Sequence, residues 1–157
     1  MRESVNHAKL KGSGIAILIL ISFAFVFSVF IWKINDNGTR RVVLFESKAN
    51  PSELSYEVRF LRNSLTGDDI KQYVDEILLG PISPQARLLF PLGTNVRSCF
   101  VSGKVLYLDL SEEALQITSG EASNTVFALK ILKKNLFTNF KNIDIINLFI
   151  MGKKVEA

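Results

Sequence analysis

Between Ile15 and Trp32 the chain reads IAILILISFAFVFSVFIW, without one charged residue. No other stretch restricts the fold as much. A helix rises about 1.5 Å per residue, so this run spans roughly 27 Å, close to the hydrocarbon thickness of a bilayer. Trp32 ends the run where an amphipathic ring favours the interface, and Lys33 has a stem long enough to snorkel. Ser22 and Ser28 are expected to bond back to the helix's own carbonyls. The run is longer than the roughly 7–15 residues of a signal peptide's apolar region, and no A-x-A-like cleavage site follows. No cysteine follows in a place to take a lipid. The expectation is an uncleaved anchor: a short cytoplasmic tail at 1–14, a transmembrane helix at 15–34, a linker at 35–41 and a domain at 42–154.

Charge does not orient this anchor. Arg2, Lys9 and Lys11 lie before it, and Lys33, Arg40 and Arg41 after it. The N-terminus is placed in the cytoplasm because the tail is short and basic, like that of an uncleaved signal sequence. The domain is then extracytoplasmic in a single-pass membrane protein, and Arg40 and Arg41 are expected near anionic headgroups.

Past the linker, whose Asn37-Gly38 is a strong turn signal, an ordinary globular sequence remains. At about 110–120 residues it is large enough to bury one core without disulfides or metals. The whole chain's net charge of +4 is modest, and its basic residues are scattered, with small clusters (Lys9/Lys11, Arg40/Arg41, Lys133/Lys134, Lys153/Lys154) that read as solvated surface. No basic stripe interleaved with aromatics is present, which argues against nucleic acid. Cys99 is the only cysteine and His7 the only histidine, on opposite sides of the anchor, so neither an intrachain disulfide nor a Cys–His pair is expected. No G-x-S-x-G, P-loop or H-E-x-x-H motif occurs, and the domain lacks the commonest base and metal ligand. No cofactor is expected.

Val42–Phe45 favours a first strand. From Ser55 the pattern alternates, with Tyr56, Val58 and Phe60 on one face and Glu57, Arg59 and Leu61 on the other. A helix is expected from Thr66, capped by that threonine, with Ile70, Val74, Ile77 and Leu78 as its buried stripe. Gly80 ends it in the left-handed conformation, and Pro81 cannot continue it. Residues 82–92 read as irregular, and Gly93-Thr94 as a turn. Val96–Val101 and Lys104–Leu110 form a hairpin around Ser102-Gly103, which sets Cys99 opposite Leu106 as a small apolar core residue. Ser111 then caps a helix whose first turn holds Glu112 and Glu113. After an interruption at 117–120, a long helix over residues 121–140 buries Ala122, Val126, Leu129, Leu132 and Leu136. Lys130, Lys133 and Lys134 fall elsewhere on its wheel. The last strand, residues 143–151, changes phase between Ile145 and Ile146, so it is expected to be bulged or buried on both faces. A polar tail follows. This order predicts an α+β domain, a small mixed or antiparallel sheet packed against two helices.

Three stretches carry a resemblance: ILLGP at 77–81, LFPLGTNVRSCFVSGKVLYLDLSEE at 89–113, and SGEASNTVFALKILKKNLFTNFKNIDIINLFIMGKK at 119–154. Leu79-Gly80-Pro81, Pro91-Leu92-Gly93-Thr94, Leu108-Asp109-Leu110-Ser111 and Gly152 match, in order, the motifs of the GerM domain of sporulation and spore germination, which this chain resembles over about residues 42–154. The resemblance implies an extracytoplasmic, tethered domain, similar to the ring-building modules of envelope-spanning complexes and without known catalysis. It also implies structural roles for Leu79, Gly80, Pro81, Pro91, Gly93, Asp109, Leu110, Ser111 and Gly152. This chain departs from the family in having one such domain and in ending soon after Gly152.

Asp109, Ser111, Glu112 and Glu113 make no acid–base pair in this reading, because they sit at a strand end and a helix start where capping accounts for them. Tyr56, Val58, Phe60, Phe100, Val105 and Tyr107 have two readings. They line the domain's own core, or they form an apolar patch for a partner if a sheet face is left uncovered. The expected function is a non-catalytic envelope assembly module that binds an envelope protein or itself. The alternative is a ligand-binding module for cell-wall material or lipid.

Overall fold

The computed structural model describes residues 4–34, 38–51, 53–62, 68–116, 120 and 122–156. The chain divides into two compact units, Met1–Asn37 and Gly38–Ala157. The first is one helix, α1 (Ser4–Ile34), which starts inside the segment expected to be a short tail. Its Gly14–Ile31 window is long and apolar enough to cross a membrane, and its side chains there are exposed.

The second unit opens with β1 (Thr39–Ser47), which starts within the expected linker, and β2 (Leu54–Leu61). Then follow α2 (Asp69–Leu78), a two-residue β3 (Ala86–Arg87) and the hairpin β4 (Val96–Ser102) and β5 (Val105–Leu110). A 3-10 turn (Glu112–Leu115), α3 (Thr125–Asn139), β6 (Ile145–Ile150) and β7 (Lys153–Val155) complete it. The α+β class holds, with the strands parted into two sheets. One has the order β2-β1-β3 and is antiparallel; the other has the order β4-β5-β6-β7. In the second, β5 and β6 are parallel, as a connection long enough to hold a helix permits.

The alternating leucines of β5 behave as their spacing predicts. Leu106, Leu108 and Leu110 are fully buried and meet Ile146, Leu148 and Ile150 of β6 in register. Val43 and Phe45 of β1, Tyr73, Val74 and Ile77 of α2, and Leu129, Leu132 and Leu136 of α3 complete one core. Ile70 and Leu78 pack at its margin.

Several local expectations are corrected. The hairpin turns at Gly103-Lys104, so Cys99 faces Leu108 and not Leu106; it is half-buried against the core. Gly103 alone has positive φ there (+61°), which suits a II′ turn with glycine first. The helix expected from residue 121 begins at Thr125, with the Asn124 side chain accepting from the Val126 amide. Ala122 precedes the helix in a bridge to Leu88, and Val126 is exposed on the outer face. β6 alternates regularly from Ile145 to Ile150 and is neither bulged nor buried on both faces, because Ile143 lies in the loop before it. The expected polar tail includes β7, joined to β6 by Met151 (φ 52°) and Gly152 (φ 75°). Positive φ at both central residues is the I′ geometry that matches strand twist. The expected cap at Thr66 lies outside the described residues, as does most of the expected interruption at 117–120.

Where β3 stops, the rest of that edge of β1 is closed without a strand. Asn135 of α3 accepts from the Leu44 amide (2.7 Å) and donates to the Leu44 carbonyl (2.9 Å). One turn on, Asn139 accepts from the Val42 amide (2.9 Å) and donates to the Val42 carbonyl (2.7 Å). The spacing allows it: four helical residues rise about 6.0 Å and two strand residues about 6.6 Å. The Tyr73 hydroxyl joins from α2, donating to the Val42 carbonyl and accepting from Asn139.

Candidate interaction surface

In β2 the charged face turns inward and the aromatic face outward. Arg59 is buried because the end of α2 offers it carbonyls: its guanidinium donates to those of Glu76 (2.6 Å) and Gly80 (2.6 Å). It also pairs with the carboxylates of Glu57 (3.0 Å) and Glu76 (3.3 Å) and lies over the Phe45 ring. A cation there suits the negative end of the helix dipole. Glu57 accepts in turn from the amides of Ser83 (2.8 Å) and Ile82 (3.2 Å), just past Pro81. Burial alone would raise its pKa, but the Ser83 amide, Arg59 and the Ile82 amide together hold it below the usual carboxylate value.

With Glu57 and Arg59 inside, strand alternation sends Tyr56, Val58 and Phe60 outward; Tyr56 is 73% exposed and Phe60 62%. Their cross-strand neighbours are Leu44, Val42 and Arg40. In the second sheet Phe100 (55% exposed) lies opposite Tyr107, with the two rings stacked at 5.0 Å. Val105 pairs with the exposed Ile145, and Asp109 with Phe149, on that same outer face. The six residues singled out in the sequence thus lie on two sheets: Tyr56, Val58 and Phe60 on one, Phe100, Val105 and Tyr107 on the other. None belongs to the buried core.

The motif residues hold loops. Gly80 has φ +94°, and a Cβ there would run into Leu88 Cδ2. Leu79 is exposed and Pro81 leads into the segment held by Glu57. Pro91 accepts at its carbonyl from the Thr94 hydroxyl (2.7 Å) across the turn that contains Gly93 (φ +90°). Asp109 accepts from Arg97 (3.0 Å) and from the Gly152 amide (3.0 Å), which ties the hairpin to the β6–β7 turn. Leu110 is core. Ser111 occupies the cap position of the 3-10 turn, yet its side chain makes no cap bond and instead accepts from the Asn95 amide (3.0 Å). Asp109, Ser111, Glu112 and Glu113 do not converge on a cleft. The Ser111 hydroxyl keeps the Glu113 carboxyl below its ordinary pKa. Among the described residues, no three His, Cys, Asp or Glu side chains are grouped to hold a metal ion.

Two shallow clefts flank the exposed Leu92. One, of about 500 Å³, is lined by Pro81, Ile82, Pro84 and Leu88 among others. The other, of about 430 Å³, is lined by Leu78, Leu79 and Val96, with Lys71 and Asp75 paired at its rim (2.6 Å).

Sequence reasoning missed Arg59, Glu57, Asn135 and Asn139. The signals were present. Glu57 and Arg59 are opposite charges two apart on one strand face, able to satisfy each other inside. Asn135 stands three residues after Leu132, on the apolar stripe of its own helix.

Residues 37–156 match a family model named Germane and described as sporulation and spore germination. No curated protein sequence matches the chain. Among solved structures it is similar to the first GerMN domain of the sporulation protein GerM from Bacillus subtilis. They are 19% identical with a TM-score of 0.58, over 74% of this chain and 86% of that one. It is also similar to the tandem GerMN domains of that protein, at 18% identity and a TM-score of 0.59, covering 76% of this chain and 41% of that one. The likeness is one of fold.

Proposed function

The chain belongs to the Germane family of sporulation and spore germination domains, and from that membership we propose that it is a non-catalytic, membrane-anchored assembly module of the bacterial cell envelope. Its domain stands outside the cytoplasm, with the N-terminus inside, and binds an envelope protein or a second copy of itself. The observation that carries this reading is the outward turn of Tyr56, Phe60 and Phe100 on two separate sheets. A small domain gains by burying such rings, and these are spent on the surface instead. Gly14–Ile31 supports the anchor by length and composition.

The test is light scattering behind size exclusion on residues 38–157 over a concentration series, repeated with the full chain reconstituted in bilayers. A discrete oligomer, abolished by Tyr56→Ser with Phe60→Ser or by Phe100→Ser, is expected for self-assembly. A monomer under every condition removes self-assembly and leaves an envelope protein as the partner, to be sought by crosslinking at the same residues.

The clefts beside Leu92 favour a second reading, a module for cell-wall material or lipid. Saturable binding of such material, lost in Leu92→Asp while the oligomeric state is unchanged, would select it.

A further inference from the structure

The outer face of α3 is basic in a way the assembly reading does not use. Val126, Lys130, Lys133 and Phe137 follow at intervals of four, three and four, one continuous stripe on a helix. Lys134 adjoins it and Lys141 follows the helix end. The helix contains no acidic residue. Lys130 and Lys134 are exposed and take part in none of the ion pairs among the described residues. Val126 is 53% exposed and Phe137 39%, so two apolar side chains stand among the lysines.

This face adjoins the point where the domain leaves for the apolar helix. Arg41 donates to the Asn139 carbonyl (2.7 Å) and lies 4.4 Å over the Phe140 ring, and Lys141 donates to the Phe137 carbonyl (3.0 Å). The end of α3 is therefore fixed to the start of β1. Between Ile34, where α1 ends, and Thr39, where β1 begins, only residues 35–38 intervene, a reach of at most about 18 Å. Helix capping accounts for Arg41 and Lys141, since cations suit a helix C-terminus. It does not account for Lys130, Lys134 and the exposed Phe137.

We infer that this face of α3 rests on the anionic headgroups of the lipid bilayer, lysines on phosphates and Phe137 at the interface. Charge complementarity selects an anionic partner, and the short connection selects the bilayer. The contact holds the domain in one orientation and so directs which sheet faces meet a neighbour. The inference rests on the anchor reading above.

The experiment uses the full chain in nanodiscs of phosphatidylcholine with or without phosphatidylglycerol. A fluorophore is placed at Thr138→Cys in a Cys99→Ser background, and the lipids carry a headgroup quencher. Strong quenching in the anionic discs is expected, weak quenching in the neutral ones, and loss of the difference as a tenfold rise in salt shortens the Debye length about threefold. Residues 38–157, which hold their own core, should sediment with phosphatidylglycerol vesicles. Changing Lys130 and Lys134 together to Gln should weaken that binding about thirtyfold, while the same two changed to Arg should preserve it. Equal quenching in both discs, in a chain that resists alkaline extraction, overturns the inference and leaves the anchor standing. Release of the full chain by alkali, with the vesicle binding of residues 38–157 intact, overturns the anchor instead. Polyphosphate bound as tightly as phosphatidylglycerol vesicles also overturns the inference, because the face then serves a soluble polyanion.

Discussion

Arg59 is the side chain on which the most separate pieces converge. It joins β2, the C-terminal carbonyls of α2 and, through Glu57, the loop after Pro81. Replacing it with Met leaves the half-buried Glu57 without its cation and the carbonyls of Glu76 and Gly80 unpaired. A loss of about 3–5 kcal/mol is expected, the usual result of breaking a buried pair from one side, measured as a shift in urea midpoint. Glu57 gives the pH counterpart. Its folded pKa lies below its unfolded value, so its contribution is complete above the unfolded pKa, about 4.3, and is lost as pH falls through the lower folded value. Midpoints measured between about pH 6 and 3 should fall less steeply in Glu57→Gln than in the parent. Cys99 behaves in the opposite sense: burial, with Asp68 and Asp75 nearby, pushes its thiol up to about 11. It should label slowly with thiol reagents at neutral pH and faster only as the domain unfolds.

At the scale of elements, the join between α3 and β1 makes a sharp prediction. Asn135→Leu fits the apolar stripe but orphans the Leu44 amide and carbonyl. With about 1–3 kcal/mol for each orphaned group, a loss of at least about 2 kcal/mol is expected, checked by chemical denaturation. The β6–β7 turn predicts a gain. Met151 holds a positive φ that asparagine tolerates better, so Met151→Asn should raise stability by about 0.5–1 kcal/mol. Elements with a strong local period were legible in the sequence: β5 with its alternating leucines, α2 up to Gly80-Pro81, and the β4–β5 hairpin, with its turn displaced by one residue and its pairing by two. The misreadings share a cause. Alternation alone leaves open which face of β2 turns inward; it is the face whose charges find partners in α2, and Val126, expected inside, lies on the outer face of α3. Likewise Asn135 and Asn139 became intelligible only beside the strand edge they complete. The turn at Met151-Gly152 was hidden because methionine seldom marks a positive φ.

For the whole molecule, the sequence separated an apolar helix from an α+β domain and recognised the motifs that fix its loops. It did not reveal that the strands divide into two sheets, since that depends on which edges a helix covers. Alkaline carbonate should leave the full chain in the membrane pellet and release residues 38–157, if Gly14–Ile31 is retained as an anchor. The asparagine seam has a further consequence for how such a domain endures its surroundings. Apart from Arg41 at its end, the groups that bind α3 to β1 are amides and backbone, with a phenol whose pKa burial raises further. None of them gains or loses a proton in acid or at neutral pH, and an uncharged bond has little to yield to dissolved ions. The asparagine pairs are electrically silent, so the domain keeps this part of its join where acid or brine loosens the charged contacts on its surface.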